Sequence, residues 1–216
     1  MNATVSRMTP SITTMIRMDH THVLAVFHRY KADTPVSKKR ALVTNACIAL
    51  QVHAQLEEEI FYPALRNVLS GDEVLEKSEP EHQQMRELMG ELRERCANVE
   101  QIDDAFDDKF MSLMRIVIHH VADEETKLLP AAERLLRDDL ARLGAEMTRR
   151  RMELIKPYAG EIAASTARSF PVGTATGAAL LTAGAVALGA MLFSRGKHAQ
   201  ADEARRSGFN RPTRLM

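Results

Sequence analysis

Two segments of this 216-residue chain carry a histidine and a glutamate four residues apart, His53-Ala-Gln-Leu-Glu57 and His120-Val-Ala-Asp-Glu124. On a helix, residues at that spacing share one face, with Cβ atoms roughly 5–6 Å apart. An imidazole and a carboxylate so placed can ligate one metal ion, or two ions bridged by the carboxylate. The surroundings of each pair repeat as well. A proline follows each histidine ten residues on, Pro63 and Pro130. One more histidine, preceded by an acid, lies upstream of each pair: Asp19-His20, 33 residues before His53, and Glu81-His82, 38 residues before His120. The chain reads as a duplicated unit, acid-His followed by His-x-x-x-Glu-Glu-x-x-x-x-Pro, and such a repeat asks for an explanation before any single motif does.

Helical spacing places apolar residues around each histidine. Ile16, Val23, Leu24 and Phe27 flank His20; Ala49, Leu50, Leu56 and Ile60 flank His53. Leu113, Ile116, Val117 and Leu128 flank His120, and Leu75, Met85 and Met89 flank His82, with Arg86 out of pattern. Four histidines and two glutamates therefore point toward an apolar core. A buried carboxylate without a partner is costly, and a metal ion compensates two of them among four imidazoles. The nitrogen and oxygen donors suit iron, manganese or zinc rather than a thiolate-bound metal. A lone core histidine is ordinarily just hydrogen-bonded, and one His-x-x-x-Glu pair arises easily by chance. The two matched copies carry the metal reading.

The remaining histidines, His22, His28, His119 and His198, read as solvated or as support for the ligands. Glu58, Glu59 and Glu125 adjoin the ligand positions and read as solvent-facing acids or as hydrogen-bond support. Tyr62 reads as core packing ahead of a hydrogen bond to the site.

Helices must position this set. Apolar residues recur at three and four rather than at two, and strand signals are almost missing. Thr9-Pro10 reads as an N-cap with proline at the first helical position of a helix running to about Lys31. A second helix runs from about Ser37 to Leu69, interrupted at Pro63. Ser78 and Glu81 have the spacing of a capping box, with Pro80 in the first turn of a third helix that continues to about Asn98. Asp103 and Asp104 offer the next cap, and a fourth helix runs to about Leu136, interrupted at Pro130. Short connections make consecutive helices antiparallel neighbours. The expected fold is all-α, an antiparallel up-down four-helix bundle over residues 10–136.

Residues 137–170 are expected to be a helical extension, to about Lys156, followed by a linker with some helical character. Arg149, Arg150 and Arg151 form a basic cluster there, read as a solvated face rather than a nucleic-acid contact. Residues 171–193 carry no charge, and their 23 residues exceed the roughly 20 apolar residues that a membrane-spanning helix needs. Seven Ala, four Gly and three Thr make the stretch only moderately apolar. Membrane insertion is favoured over an Ala/Gly-rich soluble helix. Residues 194–216 form a basic tail, read as disordered and able to lie on an anionic surface.

Lys plus Arg and Asp plus Glu both number 29, so the chain is neutral, which excludes a bulk polyelectrolyte such as DNA as the expected partner. Cys47 and Cys96 show no zinc-type spacing and suggest no disulfide framework, which points to a reducing compartment. Met1 to Pro10 has no basic patch leading into an apolar run and does not read as a secretory signal. The expected location is cytoplasmic, tethered to the inner membrane face where 171–193 inserts.

The pattern His20, His53-x-x-x-Glu57, His82, His120-x-x-x-Glu124, with its EEEIFYP and DEETKLLP stretches, resembles the hemerythrin-like (HHE cation-binding) family over roughly Ser11 to Leu136. The resemblance implies a bundle around two non-haem irons, with manganese or zinc as less favoured metals. By position it makes His20, His53, His82 and His120 terminal ligands and Glu57 and Glu124 bridging carboxylates. It implies an open coordination position for a small ligand, and a protein that binds, senses or scavenges oxygen, nitric oxide or peroxide. Two other readings stand beside it: a di-iron oxidoreductase of the peroxidase or nitric oxide reductase type, and a metal-storage or structural bundle. The chain departs from the oxygen-carrying members, which resemble His-x-x-x-His on the third helix. Here the positions four away from His82 are Ser78 and Arg86, which argues against simple reversible oxygen carriage.

Overall fold

A computed structural model describes residues 10–169. Among the described residues every regular element is helical and no strand occurs. Helix α1 spans Ile12–Arg29 and α2 spans Val36–Leu56. A π-helical turn, Glu57–Phe61, joins α2 directly to α3, Tyr62–Arg66. Helix α4 spans Glu73–Cys96, and α5 spans Asp104–Asp123. A second π-helical turn, Glu124–Leu128, leads into α6, Leu129–Leu135. Helices α7, Leu140–Ile155, and α8, Ala159–Ser169, follow, separated by a 3-10 turn at Lys156–Tyr158.

Short polar side chains begin three of the helices by accepting hydrogen bonds from otherwise unpaired N–H groups. Ser11 caps α1 through the Thr14 N–H at 3.2 Å, so the cap lies two residues beyond the expected Thr9. Asp103 caps α5 through the Phe106 N–H at 2.9 Å, as its position suggests. Asp72 caps α4 through the Val74 and Leu75 N–H groups at 3.0 and 3.1 Å. That helix therefore starts well ahead of the expected Ser78–Glu81 capping box. Ser78 lies inside the helix, where its buried hydroxyl donates to the Val74 carbonyl at 2.7 Å, and Pro80 is carried within it.

Pro63 and Pro130 do not break their helices. A proline offers no N–H to the carbonyl four residues back, and its ring presses on that carbonyl in an α-turn. A π-turn, closed by a bond across five residues, widens the helix just ahead of the ring. The Tyr62 N–H donates to the Glu57 carbonyl and the Leu129 N–H to the Glu124 carbonyl, each one residue before the proline. The duplicated spacing of glutamate and proline is thus a duplicated π-turn.

Two apolar clusters form the core. One gathers Val23, Phe27, Leu50, Met85, Phe110 and Val117 with their neighbours; the other gathers Ile16, Leu56, Phe61, Leu75, Leu128 and Leu129 with theirs. Helices α1 and α4 run from the second cluster toward the first, and α2 and α5 run the other way. Helices α1, α2 and α4 each cross between the clusters once, α5 does so with the π-turn that follows it, and the histidine on each stands near the crossing. A fully buried Leu or Phe contributes about 1.5–3 kcal/mol, which offsets the cost of a polar layer between the two.

Residues beyond Leu136 belong to this body. Helix α7 packs on α1 and α2, burying Leu143 and Met147. Gly144 lets it approach closely, since a Cβ there would meet the Pro10 carbonyl oxygen at 2.2 Å. The stretch expected as a linker, 157–169, is the 3-10 turn and α8, which packs on α2 and buries Ser165 against Asn45. Among the described residues no helix is long and apolar enough to cross a membrane. The apolar stretch 171–193 and the basic tail 194–216 lie outside the described residues.

Candidate metal centre

The six residues singled out by the repeat are all buried and come together in the polar layer. Two groups of ligand-type atoms form, each within 4.8 Å of one another: His20, His53, Glu57 and Glu124 in the first, and Glu57, His82 and His120 in the second. Glu57 belongs to both. His53 Nε2 lies 3.2 Å from Glu57 Oε2, and His20 Nε2 lies 3.2 Å from Glu124 Oε2. His82 Nε2 is 3.5 Å from Glu57 Oε2, and His120 Nε2 is 3.7 Å from Glu124 Oε2. The His82 and His120 Nε2 atoms approach each other to 3.1 Å.

The opposite nitrogen of every ring meets a carboxylate. His20 Nδ1 lies 3.0 Å from Glu125 Oε1, and His82 Nδ1 lies 2.9 Å from Glu58 Oε1. His120 Nδ1 lies 2.9 Å from Glu81 Oε2, and His53 Nδ1 lies 3.4 Å from Asp19 Oδ2. An ionised carboxylate can only accept, so each Nδ1 carries a hydrogen, and each ring, when neutral, turns its Nε2 lone pair inward. This is how metal-ligating histidines are oriented in general. The arrangement follows the duplication: Asp19 and Glu81 serve the histidine later in their own unit, whereas Glu58 and Glu125 serve the first histidine of the other unit.

With the rings neutral and both carboxyls ionised, as a bound ion would require, the inward atoms are four imidazole lone pairs and two carboxylates, all acceptors. His20 Nε2, Glu57 Oε1 and Glu124 Oε2 are buried with no hydrogen-bond partner. The Tyr62 hydroxyl is the donor among them, 2.9 Å from Glu124 Oε1 and 3.4 Å from both Glu57 Oε2 and His82 Nε2. Buried acceptors without donors are costly, and cations satisfy them. The donor set fits such an ion: nitrogen and oxygen ligands, preset rings, and one carboxylate common to both groups.

Without an ion, protons take up part of this deficit. Burial, reinforced by the Glu124 charge, pushes the Glu57 carboxyl well above the usual carboxylate range. Burial also works to raise Glu124, but the positive character of His120 and His20 outweighs it and holds that carboxyl low. Burial would lower His20, yet Glu124, Glu57 and Glu125 raise it to about 9. The pair of carboxylates draws positive charge onto the nearest ring.

Cations stand behind three of the four outer carboxylates. Arg86 donates to Glu58 at 2.7 Å, Lys77 lies 3.5 Å from Glu81, and Arg151 of α7 donates to both oxygens of Asp19 at 2.5 Å. Burial opposes ionisation of Asp19, but the His53 and Arg151 contacts overcome it and hold its carboxyl well below the ordinary range. Arg150, at the surface, donates to the exposed Glu59 at 2.6 and 2.9 Å. Two of the three arginines expected on a solvated face are thus engaged by the bundle.

On the other side of the rings is a void of about 10 Å³, lined by all four histidines together with Val23, Leu50, Met85 and Val117. His28 and His119 are exposed, in line with the solvated reading, and His22 is half-buried. Tyr62 was expected to be packing and instead bonds at the centre. Asp19 and Glu81 stood out as repeated acids with no role, and Arg86 as a flaw; the structure gives each a partner. Their sequence signal was the acid ahead of the histidine in both units.

This arrangement defines a helical, hemerythrin-type cation-binding protein. Residues 11–132 match the model of the hemerythrin HHE cation binding domain, more than half the chain, and the chain belongs to that family. A protein of Nostoc sp. (strain PCC 7120 / SAG 25.82 / UTEX 2576) described as a DNA nickase is 27% identical over 121 residues, 56% of this chain and 33% of that protein. The chain thus spans about a third of that relative's length. No solved structure matches the chain.

Proposed function

We propose that this chain is a non-haem di-iron protein that binds, senses or scavenges oxygen, nitric oxide or peroxide, with its ligands carried by an antiparallel up-down four-helix bundle. The observation that carries this reading is the convergence of four carboxylate-held imidazoles on two carboxylates, one shared by both groups of donors. His20, His53 and Glu124 would hold one ion, His82 and His120 the other, with Glu57 common to both. Bound iron would supply reversible redox change and an electrophilic centre for a small ligand. The chain's residues orient the rings through Asp19, Glu58, Glu81 and Glu125, donate one hydrogen bond from Tyr62, and exclude bulk water. The void beside the rings has room for about one water molecule, which favours a diatomic or peroxide ligand over a larger substrate. The engagement of Arg150 and Arg151 leaves less of the α7 cluster for a nucleic acid, so the nickase description of the Nostoc protein is not carried over.

Metal analysis of the full-length protein, with its optical spectrum, tests the reading. Two irons per chain with near-ultraviolet bands that change on adding azide or nitric oxide are expected. A single zinc, or no metal after iron reconstitution, would sink it. Donor-dependent consumption of peroxide or nitric oxide by the iron-loaded protein would favour the oxidoreductase reading over sensing.

A further inference from the structure

The duplicated unit is not duplicated in its cations. In the second unit, Lys77 stands five residues before His82 and Arg86 four residues after it. They neutralise Glu81 and Glu58, the carboxylates that hold His120 and His82. The same positions around His20 are Met15 and Leu24. The first unit therefore brings no cation of its own to Asp19, which holds His53, or to Glu125, which holds His20.

One of these gaps is filled from outside the unit. Helix α7 lies beyond the residues that match the family. It packs against α1, with the Thr148 hydroxyl 3.3 Å from the Met15 sulfur. One turn further along, Arg151 reaches Asp19, one guanidinium nitrogen to each carboxylate oxygen. Both side chains are mostly buried, 14% and 17% exposed. A planar two-pronged pair of this kind fixes orientation as well as charge. Glu125, by contrast, is 38% exposed and has no lysine or arginine partner among the described residues.

We propose that Arg151 is a positioning residue of the metal centre: it supplies the cation that the first unit lacks, fixes Asp19 against His53, and thereby couples docking of α7 to occupancy of the centre. The proposal rests on the metal-binding reading above. Asp19 has two demands on it: its Oδ2 meets both the His53 N–H and the guanidinium, and its Oδ1 takes the second guanidinium nitrogen. A metal held by His53 Nε2 would strengthen the Nδ1–H as a donor, which would hold Asp19 in place as the seat for Arg151. Coupling of this kind is reciprocal, so what strengthens the seat of α7 also tightens the metal, and an undocked α7 loosens it. Arg150, on the same helix, adds a second tie to Glu59 in the first π-turn. In this arrangement α7 is the element through which a change at the metal reaches the rest of the chain.

The test uses full-length wild type, R151A, R151K and R142A, each loaded with ferrous iron without oxygen. Arg142 is the control, a charge on the same helix that, among the described residues, pairs with Asp139 and Glu146 of its own neighbourhood. Iron release to a ferrous chelator and amide hydrogen exchange across Leu140–Ile155 are read on each. Loss of an outer partner of a metal ligand typically costs about 10–100-fold in affinity, so R151A should release iron at least about 10-fold faster than wild type. R151K, with a point charge in place of the fork, should fall between, and R142A should match wild type. Iron loading should slow exchange in α7 of wild type and leave it unchanged in R151A. Equal iron release by R151A and wild type, or α7 exchange indifferent to iron in wild type, overturns the proposal while leaving the metal reading standing. Failure of wild type to retain iron overturns the metal reading itself. Should R151A lose its helical circular dichroism, R151K carries the comparison, and wild-type iron release by R151K would reduce Arg151 to a structural anchor and overturn the proposal.

Discussion

Tyr62 and Glu57 are five residues apart in sequence, and the tyrosine hydroxyl lies 3.4 Å from the Glu57 carboxylate. On an α-helix, at about 100° per residue, that spacing would put the two side chains on nearly opposite faces. The π-turn at Glu57–Phe61 brings them to the same face. Leu129 occupies the matching place after Glu124, so one unit of the repeat delivers a hydroxyl to the centre and the other an apolar side chain.

Replacing Tyr62 with phenylalanine tests that hydroxyl. It is the closest donor to Glu124, at 2.9 Å, and both residues are fully buried. Leaving the carboxylate without it should cost the metal-free protein about 1–3 kcal/mol. Urea unfolding of chelator-treated Y62F and wild type reads the difference, and equal stability would refute the role.

Gly144→Ala should loosen α7. The added methyl meets the Pro10 carbonyl oxygen at 2.2 Å, and that atom is backbone, with no side chain to swing aside. Overpacking of this kind costs about 1–3 kcal/mol. Limited proteolysis should cut G144A ahead of wild type between α6 and α7; identical digestion patterns would show that the two segments separate freely.

Cys47 makes the protein sensitive to alkali. Burial, helped by Cys96, pushes its thiol from 9.0 up to about 12. The folded state thus keeps the proton longer than the unfolded chain. Its contribution is fully present below pH 9 and is lost as pH rises through 9 toward 12. At about 1.4 kcal/mol per unit, wild type should lose about 2–3 kcal/mol more than Cys47→Ala between pH 8 and pH 11. Parallel urea titrations at the two pH values decide it, and a difference that does not change with pH removes Cys47 as the cause.

Pro80→Ala should stabilise the metal-free protein. Pro80 is exposed and sits inside α4, where it removes a backbone hydrogen bond and presses on the preceding turn. Alanine should raise stability by about 1–3 kcal/mol. A lower melting temperature for P80A would mean that the proline serves the placement of His82, two residues on.

The convergence of the six buried histidines and glutamates was legible because its signal is periodic and repeated: spacing four, apolar flanks and a second copy. The outer carboxylates were half legible. Asp19 and Glu81 recur before a histidine, but each serves a ring on another helix, and no spacing within one helix points there. Arg151 was unreadable for the same reason, since a run of three arginines looks solvated until α1 is seen beneath it. The prolines misled in one direction. Pro63 and Pro130 suggested breaks, whereas the chain absorbs each by widening one turn. Ser78 and Glu81 misled in another: their capping-box spacing is real, but Asp72 had already started the helix, and both side chains have other uses. The stretch 157–169 looked like a linker because its apolar residues are few, yet Ser165 is buried against Asn45 of α2.

The two apolar clusters lie on either side of a layer whose side chains attract cations rather than one another. Apolar packing, the usual source of cooperative folding, is interrupted there, and four helices cross the interruption. A bound ion would act as a keystone at that level, transmitting stability from one end of the molecule to the other. The two ends are then one cooperative unit when the layer is bridged and two weakly joined ones when it is not, so metal exchange and partial unfolding become aspects of a single equilibrium.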